Sequence, residues 1–121
     1  MQNMNQIIIE GNISCNPLLR YTSDQKSVTN FNIYVDSKYK NKNYQSPDDK
    51  MYLKKTNKIP VVAWAGKAEY ISKNYQKGDK VRLVGHIRTK DIHLDSGKRI
   101  TTFEVVAKNI SLITRFNQNS D

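Results

Sequence analysis

The side chains in this sequence that could do chemistry are mostly basic, and they are concentrated in one segment. Lysine and arginine together number 20 against 11 aspartates and glutamates, which leaves a formal net charge of +9. Seven lysines and two aspartates lie between Lys38 and Lys58, so this segment alone carries +5. Such a balance favours a polyanionic partner, and nucleic acid and an anionic membrane surface are the two candidates.

A second basic set lies on a predicted strand from Lys80 to Asp91, where apolar and polar residues alternate. The alternation puts an apolar set on one face of the strand and a nearly all-basic set on the other. The basic face comprises Arg82, Val84, His86, Arg88 and Lys90. Such a face is unusual in a strand unless it meets an acidic partner.

Residue types that ligate metals or form disulfides are few and scattered. Cys15 is the single cysteine, so no internal disulfide can form, and His86 and His93 have no zinc-ligand spacing to it. The sequence therefore predicts no metal, no cofactor and an intracellular environment.

Catalytic arrangements are equally hard to find. A nuclease on a small barrel would need clustered carboxylates, but Asp48-Asp49 lies in a predicted loop tip, and Asp91 and Asp95 flank a predicted hairpin turn. The sequence contains no Ser-His-Asp arrangement and no phosphate-cradling glycine loop. We therefore expect no catalytic residues and no enzyme activity.

The elements that must position these side chains are mostly strands, because the hydrophobic pattern has a period of two. A length of 121 residues suffices for one domain, which we place at residues 1–113, followed by a C-terminal extension at 114–121 that we expect to be disordered. The predicted elements are strands at 6–13 and 28–35, a short run at 18–22, a strand at 59–65, a helix at 67–77, and strands at 80–91 and 100–113. Five strands with one helix between the third and fourth is the element order of the all-β OB-fold, a five-stranded Greek-key barrel.

The lysine-rich segment from Tyr39 to Asn57 interrupts this strand pattern. Pro47-Asp48-Asp49 is a turn signal within it. The segment is therefore typical of a long loop or of a hairpin with a flexible tip.

The apolar runs are short throughout the sequence. The longest, Ile7–Ile9 and Val61–Ala65, fall far below the roughly 20 residues that cross a bilayer. We therefore expect no membrane association and a cytoplasmic protein.

Six segments of the sequence resemble the bacterial single-stranded DNA-binding protein family, and they occur in the family's order. They are NQIIIEGNIS from Asn5, NPLLRYT from Asn16, VTNFNIYV from Val28, VVAWAGKAEYISKNYQKGDKV from Val61, GHIRTK from Gly85 and ITTFEVV from Ile100. The resemblance covers nearly the whole chain, from about Asn5 to Ile113. It implies an OB-fold core, assembled as a homotetramer with a dimer as the alternative, that wraps single-stranded DNA at the nucleoid without sequence preference.

The resemblance also assigns roles to individual residues. Tyr39 and Trp64 match aromatic positions on which a base stacks, an interaction that is worth about 1 to 3 kcal/mol per base and tolerates any sequence. The phosphate-contacting residues that we predict are Arg20, Lys38, Lys40, Lys77, Arg88 and Lys90, with His86, Lys54, Lys55 and Lys58 as further candidates.

The sequence departs from the family pattern at two stacking positions. Lys58 and Ile92 stand where the family often has an aromatic residue. Tyr44 and Tyr52 lie among the lysines of the 38–58 segment, and we expect them to replace the lost stacking.

A third departure concerns the C-terminus. The family commonly continues into a disordered acidic tail that recruits replication and repair proteins, whereas a single acidic residue follows Glu104 here. We therefore expect tail-mediated partners to be absent. The resemblance implies a minimal coat protein, from a phage or mobile element, that acts in DNA replication, recombination or repair.

Two other binding functions stay open at this point. One is a primosome or recombination mediator on the same fold, which would act as a dimer and bridge a partner protein. The other is an RNA-binding small barrel, which competition between RNA and DNA of equal length would identify.

Overall fold

The computed structural model describes residues 3–116, which form six strands and one helix. The strands are β1 (Ile7–Ile13), β2 (Arg20–Tyr21), β3 (Ser27–Lys40), β4 (Tyr52–Trp64), β5 (Lys80–His93) and β6 (Arg99–Thr114), and the helix α1 (Ala65–Asn74) lies between β4 and β5. The two-residue β2 comes from the short run predicted at 18–22. The other five strands are those that the sequence predicts.

The five long strands close into a mixed barrel. The sheet order is β1-β5-β6-β4-β3-β2, and an additional pairing of β1 with β3 closes the barrel. β4 and β6 run parallel, and the other pairs are antiparallel. The predicted OB-fold, with five strands and one helix between the third and fourth, is confirmed.

The predicted alternation decides which side chains fill the barrel. Ile13, Ile33, Val61 and Leu83 each come from a different strand, and all are at most 1% exposed. Residues next to them along each strand point outward, because successive side chains of a strand lie on opposite faces. Most outward residues of β5 and of the β3–β4 hairpin are exposed, whereas Val28, Val62 and Glu104 face outward but are buried.

The helix begins and ends earlier than the sequence predicts, at Ala65 and Asn74 instead of residues 67 and 77. The chain passes from β4 into α1 through Ala65, whose φ of 55° lies in the left-handed region. Tyr75 is already extended, and its N–H bonds to the carbonyl of Ile71 at 3.0 Å. Ala68, Ile71 and Tyr75 are all buried, as the predicted apolar stripe requires.

The lysine-rich segment forms a hairpin and not a long loop. β3 and β4 stay paired from Val28 with Trp64 out to Lys40 with Tyr52. The tip is closed by side chains: the carboxylate of Asp49 accepts hydrogen bonds from the backbone N–H groups of Gln45 and Ser46, at 3.0 and 3.2 Å. Both strands therefore extend well beyond the barrel.

Strand β6 ends at Thr114, one residue beyond the predicted domain boundary. The buried carboxylate of Asp79 accepts hydrogen bonds from the guanidinium of Arg115, at 2.6 Å, and from the backbone N–H of Phe116, at 3.0 Å. The division at residue 113 and the disorder of the extension stay predictions, and residues 117–121 lie outside the described range.

Candidate nucleic-acid interface

One row of paired residues defines an outward surface across four strands. Asn30 on β3 pairs with Val62 on β4, Val62 pairs with Val106 on β6, and Val106 pairs with His86 on β5. Directly paired residues lie on the same face of a sheet. We call the outward face of β3, β4, β5 and β6 in this region the outer face.

Six of the residues predicted to bind DNA lie on the barrel part of the outer face or, for Arg20, on β2 beside it. Each lies in register with the defining row, either as a cross-strand partner or at an even spacing along its strand. They are Arg20, Lys58, Trp64, His86, Arg88 and Lys90. All except Trp64 are exposed, so five exposed basic residues share this face with one aromatic ring.

Trp64 lies at the end of β4, immediately before the left-handed turn at Ala65. Its cross-strand partner is Val28, which in turn pairs with Arg20 on β2. The guanidinium of Arg20 donates a hydrogen bond to the side-chain carbonyl of Asn30. Arg20 thus faces the same side of the sheet as Trp64, with β3 between them.

Trp64 is only half-buried, and Arg88 covers part of it. The guanidinium carbon of Arg88 lies 5.7 Å from the centre of the indole ring, within the range of a cation–π contact. The Nε of Arg88 donates to one carboxylate oxygen of Glu104 at 2.7 Å, and an Nη forms an ion pair with the same oxygen at 2.7 Å. The indole N–H of Trp64 is buried and has no hydrogen-bond partner among residues 3–116.

A cleft of about 450 Å³ opens beside this ring. Its lining consists of Thr22, Asp24, Lys26, Trp64 and Arg88. Lys26, in the turn between β2 and β3, is a basic residue that the sequence analysis missed. No pattern in the sequence singles out Lys26, because only the folding of the turn brings it next to Trp64.

β5 is positioned in the outer face by two close contacts. The side-chain amide of Asn5 accepts from the N–H of Ile87 at 2.9 Å and donates to its carbonyl at 2.7 Å. At Gly85, a Cβ would lie only 2.1 Å from the carbonyl oxygen of Val106, so β6 approaches closely there. His86 and Arg88, on either side of Ile87, are thereby fixed in place.

The β3–β4 hairpin distributes the predicted lysines and tyrosines over both of its faces. The pairs of Tyr34 with Lys58, Lys38 with Lys54 and Lys40 with Tyr52 continue the outer face. The pairs of Ser37 with Lys55 and Tyr39 with Leu53 lie on the opposite face. Lys38, Lys40, Lys54 and Tyr52 therefore share a surface with Trp64, and Tyr39 and Lys55 do not.

Tyr39 is 51% exposed, but the structure does not bring it to the same face as Trp64. It follows Ile33 and Val35 on the side of β3 that fills the barrel, and becomes exposed where the hairpin leaves the barrel. The two aromatics that the resemblance assigns to stacking thus lie on opposite faces of the hairpin, and Trp64 is 11 residues along β4 from Leu53, the partner of Tyr39.

The positive charge of Lys54 is partly compensated by a neighbouring carboxylate. Its ammonium lies 3.3 Å from the carboxylate of Asp36, and the hydroxyl of Thr56 donates to the same carboxylate at 2.8 Å. The hydrogen bond from Thr56, followed by Lys54, lowers the pKa of Asp36 below its ordinary value. Lys38 and Lys40 are the less compensated lysines of this surface.

Lys77 and Tyr44 lie away from Trp64. Lys77 is in the turn after α1, where it lines a cleft of about 370 Å³ together with Tyr34 and Phe116. Tyr44 is in the hairpin tip and is 40% exposed. Both lie at the margins of the arrangement around Trp64.

The far end of the β5–β6 hairpin is apolar on the outer face. Ile92 pairs with Ile100, and their side chains are 41% and 46% exposed. Leu94 beside them is 40% exposed. An aliphatic patch therefore occupies the position where the resemblance leads one to expect an aromatic platform.

Two further kinds of site, a metal centre and a membrane-spanning helix, are absent from the described part of the chain. Within residues 3–116, no three histidines, cysteines or carboxylates approach closely enough to hold a metal ion. The one helix there is neither long nor apolar enough to cross a membrane.

Comparison with known proteins gives concordant matches. The model of the single-strand binding protein family matches residues 4–113. A single-stranded DNA-binding protein of Caldanaerobacter subterraneus is 33% identical over 91% of this chain and 68% of its own length. Single-stranded DNA-binding protein 3 of Streptococcus agalactiae is 30% identical over 94% of this chain and 77% of its own. The solved structure described as the Plasmodium falciparum SSB complex with ssDNA superposes with a TM-score of 0.79 at 17% identity, covering 93% of this chain and 97% of that one.

Proposed function

We propose that this chain, which belongs to the single-strand binding protein family, binds single-stranded DNA along its outer face without sequence preference. The observation that carries the proposal is that exposed basic side chains share one face with Trp64, and Arg88 contacts its ring. Its relatives named as single-stranded DNA-binding proteins support the same function.

Stacking on Trp64 supplies the part of the affinity that requires unpaired bases. A base offers a π-face whatever its identity, whereas bases within a duplex are already stacked on each other. The guanidinium carbon of Arg88 lies over the indole ring, 5.7 Å from its centre, and the planar guanidinium can itself stack on a base. The cleft between them and Lys26 is the place for the first base.

Phosphate contacts supply the remainder of the affinity. Alternate residues on one face of a strand are about 6.8 Å apart, so Lys38 and Lys40 offer regularly spaced cations along the hairpin. Lys58 connects this row to the barrel, and Lys90 extends it on β5. Each phosphate that such a residue neutralises releases counterions, which makes the binding strongly dependent on salt.

Tyr39 and Lys55 take part only if the DNA strand crosses the edge of the hairpin. Tyr39 remains half-exposed on the face opposite Trp64, which supports a second stacking platform there. Tyr44 at the hairpin tip and Tyr52 on the outer face lie along the edge over which the DNA strand would pass.

The assembly that we propose is a homotetramer acting in the cytoplasm at the nucleoid, in replication, recombination or repair. Ile8 on the outward side of β1 is 59% exposed, an apolar side chain that a second copy would cover. Light scattering tests this proposal: a mass of four chains supports it, and a stable monomer contradicts it.

Anisotropy of a fluorescein-labelled oligo(dT) tests the proposed function directly. We expect the labelled strand to bind and to be displaced by unlabelled DNA single strands of any sequence, but not by a duplex of equal length. Displacement by duplex as efficient as by single strand would contradict the proposal. Stronger displacement by RNA than by DNA single strands would make RNA the ligand.

A further inference from the structure

Glu104 is an unusual residue to find beneath a DNA-binding surface, because its carboxylate repels phosphate. Its side chain is only 8% exposed, and Asp79 and Glu104 are the only buried acidic residues between residues 3 and 116. Asp79 anchors the backbone near Phe116, on another part of the barrel. Glu104 instead faces outward on β6, opposite Arg88 on β5.

Glu104 holds Arg88 in one orientation. Its oxygen accepts a hydrogen bond from Nε at 2.7 Å, and one Nη lies 2.7 Å from the same oxygen as an ion pair, so this edge of the guanidinium faces the carboxylate. In that orientation the guanidinium carbon lies 5.7 Å from the centre of the Trp64 ring. The three side chains come from β4, β5 and β6, so they form one unit only in the folded barrel.

Arg88 cannot readily leave Glu104 to bind a phosphate. Removing the guanidinium would leave the buried carboxylate of Glu104 without its partner, and an unpaired buried charge is strongly unfavourable. Exposed lysines such as Lys38 and Lys40 carry no such constraint. Phosphates would therefore be bound by the lysines first.

We propose that Glu104 is a positioning residue that acts through Arg88: it holds the guanidinium against Trp64 as part of the base-stacking wall and withholds it from phosphates. This inference rests on the proposed function. It also reassigns Arg88, which the sequence analysis places among the phosphate contacts, to the contact with bases.

The chain provides a matched control in a second arginine–glutamate pair. Glu10 on β1 bonds to Arg82 on β5, at 2.8 Å from Nε, but both side chains are about half-exposed and neither touches Trp64. Glu104→Gln and Glu10→Gln raise the net charge equally, and each releases one arginine. A difference in DNA binding between the two variants therefore reflects the position of the replaced glutamate and not the change in net charge.

The first test is the salt dependence of oligo(dT) binding. In Glu104→Gln, Arg88 becomes free to contact a phosphate, so the slope of log affinity against log salt steepens by about 0.7. In Glu10→Gln we expect the wild-type slope. Equal slopes in Glu104→Gln and Glu10→Gln would overturn the proposal.

The second test uses the DNA-free protein, so it stands even if the chain binds no DNA. With Arg88 released, the Trp64 ring becomes more accessible, and we expect stronger acrylamide quenching of its fluorescence in Glu104→Gln than in Glu10→Gln. Arg88→Lys keeps the charge but cannot make the forked contact to Glu104, so it should show the same increase if Glu104→Gln fails to fold. Unchanged quenching in the folded variants would overturn the proposal, and absence of DNA binding by the wild type would instead refute the proposed function.

Discussion

Three lysines of the outer face should account for a measurable share of the salt dependence of DNA binding. Lys38, Lys40 and Lys58 are exposed and lie on one face of the β3–β4 hairpin. Lys54 on the same face is excluded from the set, because its ammonium is 3.3 Å from the carboxylate of Asp36. The perturbation is the triple replacement K38Q/K40Q/K58Q.

The expected magnitude follows from counting contacts. If each lysine neutralises one phosphate, the triple variant lowers the slope of log affinity against log salt by roughly 2, at about 0.7 per contact. Between about 50 and about 200 mM salt, the wild type would then lose roughly 20-fold more affinity than the variant. Anisotropy of labelled oligo(dT) at four or more salt concentrations measures both slopes.

The matched control removes three lysines from elsewhere. Lys67 and Lys73 lie on α1, and Lys98 lies in the turn between β5 and β6. K67Q/K73Q/K98Q makes the same change in net charge, and we expect it to keep the wild-type slope. Equal slopes in the two triple variants would refute the reasoning, because the charge of the whole chain, and not the outer face, would then govern binding.

Further variants test stacking and stability. Trp64→Ala should lose about 1 to 3 kcal/mol of binding free energy for oligo(dT), while Trp64→Phe keeps most of it; equal affinity of Trp64→Ala and wild type would exclude stacking there. Burial, together with the neighbouring Tyr70 phenol, raises the pKa of Tyr75. The stability that its neutral form contributes is fully present below about pH 10, the ordinary pKa of tyrosine, and is lost as the pH rises through the raised pKa. Urea unfolding should therefore show a steeper alkaline loss of stability in the wild type than in Tyr75→Phe, and parallel pH profiles would contradict this. Asp79→Asn should lower the free energy of unfolding by about 1 to 3 kcal/mol, because the carboxylate bonds to Arg115 and to the N–H of Phe116; an unchanged urea midpoint would contradict it.

The barrel could be predicted from the sequence because its strands alternate between apolar and polar residues. Ile7, Ile9 and Ile13 on β1, and Phe31 and Ile33 on β3, all turn inward as the pattern requires. A chain with this periodicity buries those residues in any stable arrangement. The single helix followed from the change to helical spacing after Ala65.

The full length of the β3–β4 hairpin could not be predicted from the sequence. Beyond Val35 both faces of β3 are exposed, so no apolar alternation marks the residues from Asp36 to Lys40 as a strand. Their pairing with β4 is carried by backbone hydrogen bonds, which leave no hydrophobic pattern. The face on which Tyr39 lies follows from the alternation only once the strand is known to continue.

The contact between Trp64, Arg88 and Glu104 also could not be predicted from the sequence. Trp64 and Arg88 are on strands separated by the helix, and the pairing of Arg88 with Glu104 depends on the register of β5 against β6. That register shifts between Val84 and Gly85. The resemblance marked Trp64 and Arg88 as neighbours in function, but their contact and the carboxylate that fixes it required the fold.

The most direct test of the account is a fluorescence titration that uses Trp64, the only tryptophan, as its own probe. Oligo(dT) and a duplex of equal length are added in turn, at low and at high salt. We expect strong quenching by the single strand alone, weakened by salt, because a base then stacks on Trp64. Equal quenching by duplex, or none by either, would contradict single-strand binding on the outer face.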